Sequence, residues 1–210
     1  MADYQIPRST PRQDWFKTSG TGEADSPFII GVTISDASGN SITLDPSTLA
    51  QSIIEYEHHE VHAGSYYRAG FQKDITASGT AIWAITTPDT TKQIHFRPAV
   101  DVEFEAAIML YENPTSVTGG TAITPRNANR NFDDASVAVV VTDPTVNTAG
   151  AVILGNLVLG SGKSSGGNSS STFEWVLKRN TKYALIVTDQ SSKANECNIR
   201  CSWYEHTPKG

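Results

Sequence analysis

Strict alternation of apolar and polar side chains is the feature that most constrains the fold of this chain. Every second position from 102 to 110 is apolar: Val102, Phe104, Ala106, Ile108 and Leu110. The first two residues between them are acidic, Glu103 and Glu105. A period of two residues places one set of side chains on one side of an extended backbone. The pattern therefore predicts a half-buried antiparallel strand across residues 102–110.

The same alternation recurs toward the C-terminus, and turn-forming pairs separate the strand-like runs. No window of a dozen residues carries a helical period of apolar side chains. We therefore predict an all-β fold, an antiparallel β-sandwich of eight to ten strands, with the jelly roll as the preferred topology. The later alternating runs are Phe173-Trp175-Leu177, Tyr183-Leu185-Val187 and Cys197-Ile199-Cys201-Trp203, and the turn pairs are Asn113-Pro114, Gly119-Gly120 and Asp143-Pro144.

The first part of the chain has a different composition. Prolines interrupt residues 1–51, Ser, Thr and Gly fill the gaps, and only 28–34 has strand composition. The Asp45-Pro46 pair favours a single helical turn at the end of this part. The sequence thus predicts an extended N-terminal arm over residues 1–51 and a β-sandwich over 52–210. The tripeptide Tyr-Glu-His occurs at 56–58 and again at 204–206, which suggests that the first and last strands of this sandwich are neighbours.

Charge and hydropathy exclude several classes of function. The chain has 16 Lys and Arg against 22 Asp and Glu, a net charge of -6 and a pI near 5.3. Such a chain lacks the basic field that nucleic-acid binding needs, so nucleic acid is not an expected partner. The first thirty residues contain no apolar stretch of signal-peptide length, and no segment has the apolar length of a membrane span. We therefore expect a cytosol-like compartment and no membrane partner. Cys197 and Cys201 lie four apart on a predicted strand, too far apart for a disulfide, and are expected in the core.

The histidine-rich stretch 57–62 is the strongest candidate for metal chemistry, because His and carboxylates at short spacing are common metal ligands. On a strand, His58, Glu60 and His62 would share one face. Cupin metalloenzymes are β-proteins whose metal site has a His-x-His pair with glycines around it. Here His58 and His59 are adjacent, and no glycine precedes them. We therefore interpret His58, His59 and His62 as a polar strand or subunit contact and expect no bound metal. A structural or intersubunit metal is the first alternative, and a catalytic metal is the second.

Other catalytic signatures are incomplete. Residues 160–164 (Gly-Ser-Gly-Lys-Ser) resemble the end of a phosphate-binding loop, but Leu157 stands where the first glycine is needed. This segment is predicted to be a surface loop. Residues 162–166 (Gly-Lys-Ser-Ser-Gly) match the letters of the Gly-x-Ser-x-Gly motif, but more Ser and Gly and then a strand follow them instead of the helix that a nucleophile elbow needs. The sequence therefore predicts no enzyme activity, no catalytic residues and no cofactor.

Two adjacent aromatic residues, Trp15 and Phe16, stand in the polar arm without an apolar pattern around them. Aromatic anchors contribute strongly to protein interfaces, so these two residues are predicted to contact a partner. Packing of the pair against the chain's own sandwich is the alternative. Arg8 and Arg12 are candidates to pair with carboxylates of the same partner.

Several stretches of the chain resemble a group of small virion proteins of tailed bacteriophages, the capsid decoration or cement proteins. The resemblance covers residues 52–207 and leaves the arm uncovered. It implies a structural role and no catalytic residues. The stretches that carry it are 55–67 (EYEHHEVHAGSYY), 87–92 (TPDTTK) with His95-Phe96, 127–131 (NANRN) and 203–207 (WYEHT).

From this resemblance we expect a protein on the capsid exterior of the virion, present in the host cytoplasm during assembly. Its expected partners are the major capsid protein and further copies of itself, with a trimer favoured over a dimer. The competing hypothesis is a receptor- or carbohydrate-binding module of a head or tail fibre. Its candidate binding residues are the aromatics Tyr66, Tyr67, Trp83 and Trp203.

Overall fold

The computed structural model describes the backbone of residues 3–6, 14–19, 29–31, 56–161, 167–170 and 174–207, and the side chains of 56–155 and 174–207. The fold is all-β, with 5% helix and 59% strand, as the sequence predicts. Two compact units are present, Met1–Ile54 and Glu55–Gly210.

The first unit contains a small antiparallel sheet. Its strands are β1 (Asp3–Ile6), β2 (Asp14–Ser19) and β3 (Ile29–Gly31), in the order β1-β2-β3. Only the third of these was expected from composition. In all three strands, pairing with a neighbour satisfies the backbone groups.

The second unit contains one short helix and two six-stranded antiparallel sheets that pack against each other as a β-sandwich. A further two-stranded sheet pairs β12 with β8. Its elements are α1 (Tyr56–His62), β4 (Tyr66–Ile75), β5 (Thr80–Thr86), β6 (Gln93–Val102), β7 (Phe104–Glu112), β8 (Ser116–Thr118), β9 (Thr121–Ile123), β10 (Arg126–Asn127), β11 (Val139–Thr142), β12 (Thr145–Asn147), β13 (Ala151–Ser161), β14 (Gly167–Ser170), β15 (Trp175–Leu177), β16 (Lys182–Asp189) and β17 (Asn195–His206).

The two large sheets take alternate strands from the chain. The first sheet runs β10-β4-β17-β6-β14, with β15 also pairing with β6. The second sheet runs β13-β7-β16-β5-β11-β9. Consecutive strands β4, β5, β6 and β7 lie alternately in the two sheets, so the chain crosses the core at each connection. The predicted adjacency of the first and last long strands is confirmed, because β4 pairs with β17.

The core lies between the inner faces of the two sheets. Trp83 and Trp203 are both 0% exposed, and their rings meet edge to face at 6.2 Å. Trp83 also stacks on Phe96 at 5.5 Å. Burial alternates residue by residue along β6 and along most of β17, as a strand with one buried face requires. Both cysteines are buried and unpaired on β17, as predicted.

Turn chemistry was predicted correctly at several connections. Asn113 and Asp143 adopt positive φ angles of 51° and 47°, and Gly119 and Gly120 adopt 69° and 84°. Asn, Asp and Gly tolerate this left-handed region better than other residues do. The predicted turn pairs therefore mark real reversals of the chain.

The predicted single strand across 102–110 is wrong at its start. Val102 ends β6 in the first sheet, and Phe104 begins β7 in the second. Glu103 lies at the crossing, where its backbone N–H donates to the carbonyl of Glu196. The backbone N–H of Phe104 donates 2.9 Å to Oδ1 of Asn195. The alternation continues across the break because the residues on both sides face the same core.

Candidate interaction surfaces

The outer face of the second sheet is apolar, although it points away from the core. On β5, Trp83 and Ile85 belong to the core, so Ile82 and Ala84 must project from the opposite side of the strand. We call the following set the apolar face, and it spans β5, β7, β11, β13 and β16: Ile82, Ala84, Met109, Tyr111, Val139, Val141, Val152, Ala184 and Ile186.

Strand register aligns these residues in rows across the sheet. One row runs Val141, Ala84, Ala184, Tyr111 and Val152, each the direct cross-strand partner of the next. Residues that are direct partners share a face, so five neighbouring strands present apolar side chains side by side. The outer side of the second sheet is therefore apolar along this row, as is its inner side, which faces the core.

The neighbouring row runs Ile82, Ile186 and Met109 across the middle of the same sheet. Met109 is 37% exposed, and nearer the edges Val139 and Val152 are 60% and 52% exposed. Ala84 and Ala184 are buried, so the exposed part of the apolar face consists of Met109, Val139 and Val152. Exposed apolar side chains grouped on one face mark an interaction surface more often than scattered ones do. The apolar face is therefore the strongest candidate docking surface on the described part of the chain.

Sequence reasoning missed this face, although a signal for it is present. Unbroken apolar runs occupy 81–85 (AIWAI), 139–141 (VVV) and 183–187 (YALIV). Strands that are apolar on both sides have such continuous runs instead of an alternation. The alternating positions identified the core correctly, and the positions between them were assumed to face solvent.

The outer face of the first sheet is polar and carries a groove of about 450 Å³. Arginines line it from three strands: Arg68 on β4, Arg97 on β6 and Arg200 on β17. Arg97 pairs with Glu57, and a nitrogen of Arg200 lies 2.7 Å from a carboxylate oxygen of Asp101. The guanidinium of Arg68 lies 5.5 Å from the centre of the Tyr66 ring.

The predicted polar strand at His58, His59 and His62 is wrong, because these residues lie on the helix α1. The rings of His58 and His62 meet one helical turn apart, with 2.9 Å between their Nε2 atoms. Helical spacing therefore aligns positions i and i+4, whereas a strand would have aligned positions i and i+2. His59 instead stacks near Tyr56, with 6.1 Å between ring centroids.

Helix α1 is anchored to the sandwich by its polar residues. Glu60 is 5% exposed and accepts a hydrogen bond from the hydroxyl of Ser65. Burial favours a higher pKa for Glu60, but the bonds from Ser65, Tyr56 and His59 outweigh it and lower the pKa. The ring of Tyr56 meets that of Tyr204 edge to face at 5.6 Å. The helix thus lies over the end of the first sheet next to the arginine groove, and its Glu57 lines that groove.

No group of three or more His, Cys, Asp or Glu side chains within 56–155 and 174–207 is arranged to hold a metal ion. Burial raises the pKa of Cys197 to about 12 and that of Cys201 well above its usual value, which disfavours a reactive thiolate. The described segments also contain no helix long and apolar enough to cross a membrane.

The predicted partner contacts in the first unit are described only in part. Trp15 and Phe16 lie on β2, where they pair with Gln5 and Tyr4 of β1 through the backbone. Arg8 and Arg12 lie outside the described residues, as do the helical turn predicted at 45–50 and most of the predicted surface loop, 162–166.

The aromatic residues suggested for glycan binding are buried: Tyr67, Trp83 and Trp203 lie in the core, and Tyr66 lies on the outer side of the first sheet, where its hydroxyl donates to Glu57 of α1. Tyr66 and Tyr67 are each 2% exposed, and Trp83 and Trp203 are 0% exposed. A sugar ring could not stack on any of them without opening the fold. These four residues therefore form part of the packing and do not supply a carbohydrate site.

Comparison with protein-family models, curated proteins and solved structures finds no match for this chain.

Proposed function

We propose that this chain is a non-enzymatic structural protein of a tailed-phage particle, which decorates the outside of the capsid and stabilises it by bridging capsid subunits. The observation that carries the proposal is the apolar face. A sheet that is apolar on both sides gains stability by covering its outer side with protein. Such a surface suits a subunit that works in an assembly better than one that works free in solution.

The order of strands supports a jelly roll, the fold that the sequence favours for a virion protein. The longer strands follow each other as β4, β5, β6, β7, β13, the interrupted strand β14 with β15, β16 and β17. Numbered in this order, the central strands of the first sheet read 1-8-3-6 and those of the second read 5-4-7-2. This wrapped order is the one that two nested Greek keys produce, and jelly rolls are frequent in viral capsid proteins.

The major capsid protein is the proposed partner of the apolar face. Burial of an apolar side chain such as Met109 or Val139 contributes on the order of 2 kcal/mol. Several such contacts per subunit suffice for firm attachment when copies act together, because each further contact then forms at a high effective concentration. In this account, Trp15, Phe16, Arg8 and Arg12 of the first unit add a second contact to the same shell.

The test is co-sedimentation of the purified full chain with capsids of the phage that encodes it. The variant M109K/V139K places two charges on exposed positions of the apolar face and should reduce binding at least tenfold. The control D89K raises the net charge by the same amount at an exposed position in the loop between β5 and β6 and should bind normally. Equal binding of the parent chain, M109K/V139K and the control would show that the apolar face does not contact the capsid.

A second pair of variants tests the first unit. Deletion of residues 1–20, or W15A/F16A, should weaken capsid binding and leave the circular dichroism of the sandwich unchanged. Full occupancy of capsids by the truncated protein would contradict a contact through the first unit. Binding to host glycans instead of capsids would favour the alternative of a receptor- or carbohydrate-binding module of a fibre.

A further inference from the structure

Two like-charged residue pairs face each other across strands on the outer face of the first sheet. Arg126 of β10 is the direct partner of Arg68 of β4, and Glu196 of β17 is the direct partner of Asp74 of β4. All four side chains are exposed. Like charges in directly opposed positions destabilise a sheet. The chain thus carries one repulsive pair of each sign on the same face.

At the basic end, the surrounding groups reinforce the positive charge. Arg97 and Arg200 lie in the adjoining groove, where Glu57 and Asp101 pair with them. Of these described side chains, four arginines and two carboxylates leave a net charge of +2. Neither Arg68 nor Arg126 has a carboxylate within salt-bridge distance among the residues whose side chains are described.

At the acidic end, Asp74 and Glu196 line a shallow depression of about 220 Å³ together with Glu103. None of these three carboxylates forms a salt bridge within the described side chains. The two ends lie six residues apart on β4, which is roughly 20 Å at the rise of an antiparallel strand. That separation exceeds the screening length of about 8 Å at physiological salt, so the two ends do not neutralise each other within one copy.

The surface between the two ends carries no net charge, because Arg200, the direct partner of Gly70, pairs with Asp101, the direct partner of Asn198. Gly70 lies there, and a side-chain carbon at this position would meet only the carbonyl of Ile199 at 3.8 Å. Gln72 and Asn198 are direct partners in the next row. Helix α1 borders this region at the basic end, where Glu57 pairs with Arg97. The middle region therefore leaves the opposite charges of the two ends unchanged.

We propose that a second copy of this chain docks face to face on the first sheet, related by a two-fold axis that places the basic end of each copy against the acidic end of the other. A two-fold interface requires a surface that is complementary to itself, and a face with opposite charges at its two ends meets that requirement. The surface is small and polar, so the pair should be weak and sensitive to salt.

This pairing does not depend on the proposed attachment to a capsid, because it uses the opposite side of the sandwich from the apolar face. The proposed pairing predicts a dimer. It does not account for the trimer that the sequence analysis favoured. In a decorated particle, the pair would join neighbouring copies across the lattice.

The experiment is sedimentation equilibrium of the full chain with two charge-reversed variants. R68E/R126E makes the basic end acidic, and D74K/E196K makes the acidic end basic. We expect the unmodified chain to dimerise at low salt, with affinity falling at least tenfold in 0.5 M NaCl. Each variant alone should be monomeric at the same concentration, and an equimolar mixture should form a 1:1 dimer at low salt.

A control variant, R179E/K182E, changes the charge by the same amount at exposed positions away from this face and should dimerise normally. Circular dichroism identifies any variant that fails to fold, and in that case R68E and E196K replace the double variants. A monomeric parent chain at low salt would overturn the proposal. So would dimerisation of each variant alone, or a mixture that stays monomeric.

Discussion

The indole Nε1 of Trp203 donates a hydrogen bond of 3.1 Å to Oε1 of Glu205, two residues further along β17. Glu205 is only 2% exposed, and its carboxylate also accepts 3.1 Å bonds from the backbone N–H of Val137 and one of 2.5 Å from the hydroxyl of Ser136. One buried carboxylate thus joins the last strand to the segment that leads into β11.

Substitution of Glu205 by Ala should destabilise the sandwich by about 2–4 kcal/mol, because several buried donors would lose their acceptor. Glu205→Gln retains one acceptor oxygen and should cost less. Urea denaturation followed by tryptophan fluorescence measures both. A loss below about 0.5 kcal/mol for the Ala variant would show that water replaces the carboxylate without penalty.

The acid sensitivity of the fold should depend on Asp189. Burial of this residue favours a higher pKa, but hydrogen bonds from Ser191, the Ser78 backbone and Asn195 outweigh it and lower the pKa to about 2. A lowered pKa in the folded state means that the carboxylate stabilises the fold above its ordinary pKa of about 4.

This contribution should be fully present above pH 4 and should be lost as the pH falls toward 2. Asp189→Asn should therefore be less stable than the parent at pH 6, and the difference should shrink at pH 2. Thermal melts at the two pH values measure it. A difference that stays constant between pH 6 and pH 2 would contradict the assignment.

Adjacent glycines at the turn before β9 form a matched pair of test sites. Both have positive φ, but a side-chain carbon on Gly120 would lie 2.7 Å from the carbonyl oxygen of Thr142, whereas one on Gly119 would meet nothing within 4 Å. Gly119→Ala should cost about 1 kcal/mol from backbone conformation alone. Gly120→Ala should cost distinctly more, and equal melting temperatures for the two variants would contradict the predicted clash.

Metal removal should not change the stability of the protein. The rings of His58 and His62 are aligned on α1, but no described carboxylate or thiol joins them in a metal-binding group. A stable site needs more ligands than this pair supplies. The melting temperature should be the same with and without EDTA, and a fall on chelation would show that the pair binds a metal with ligands from another copy.

Alternation predicted the core well because burial on one side of a strand leaves a period of two in the sequence. Tyr183, Leu185 and Val187 are all buried, as are Cys197 and Ile199. The same reasoning gave the wrong element at His58 and His62, since a seven-residue helix is too short to show an apolar period. Its position depends on tertiary contacts, such as that of Tyr56 with Tyr204.

The interaction surfaces depend on register, which a single sequence does not reveal. Arg126 and Arg68 are far apart in the chain, and only the pairing of β10 with β4 makes them neighbours. The apolar face likewise depends on which strands are adjacent. Its apolar runs are visible in the sequence. Which residues of each run face outward follows only when the residues that face the core are known.

The central claim, that this chain decorates a tailed-phage capsid, requires that the genome that encodes the chain belong to a tailed phage. Cryo-electron microscopy of the intact particles of that phage is the most direct test. We expect density for the β-sandwich in many copies on the outside of the capsid, with the apolar face, around Met109 and Ile186, turned toward the shell. Absence of the chain from the particle would contradict the account, and so would its presence only at the fibres.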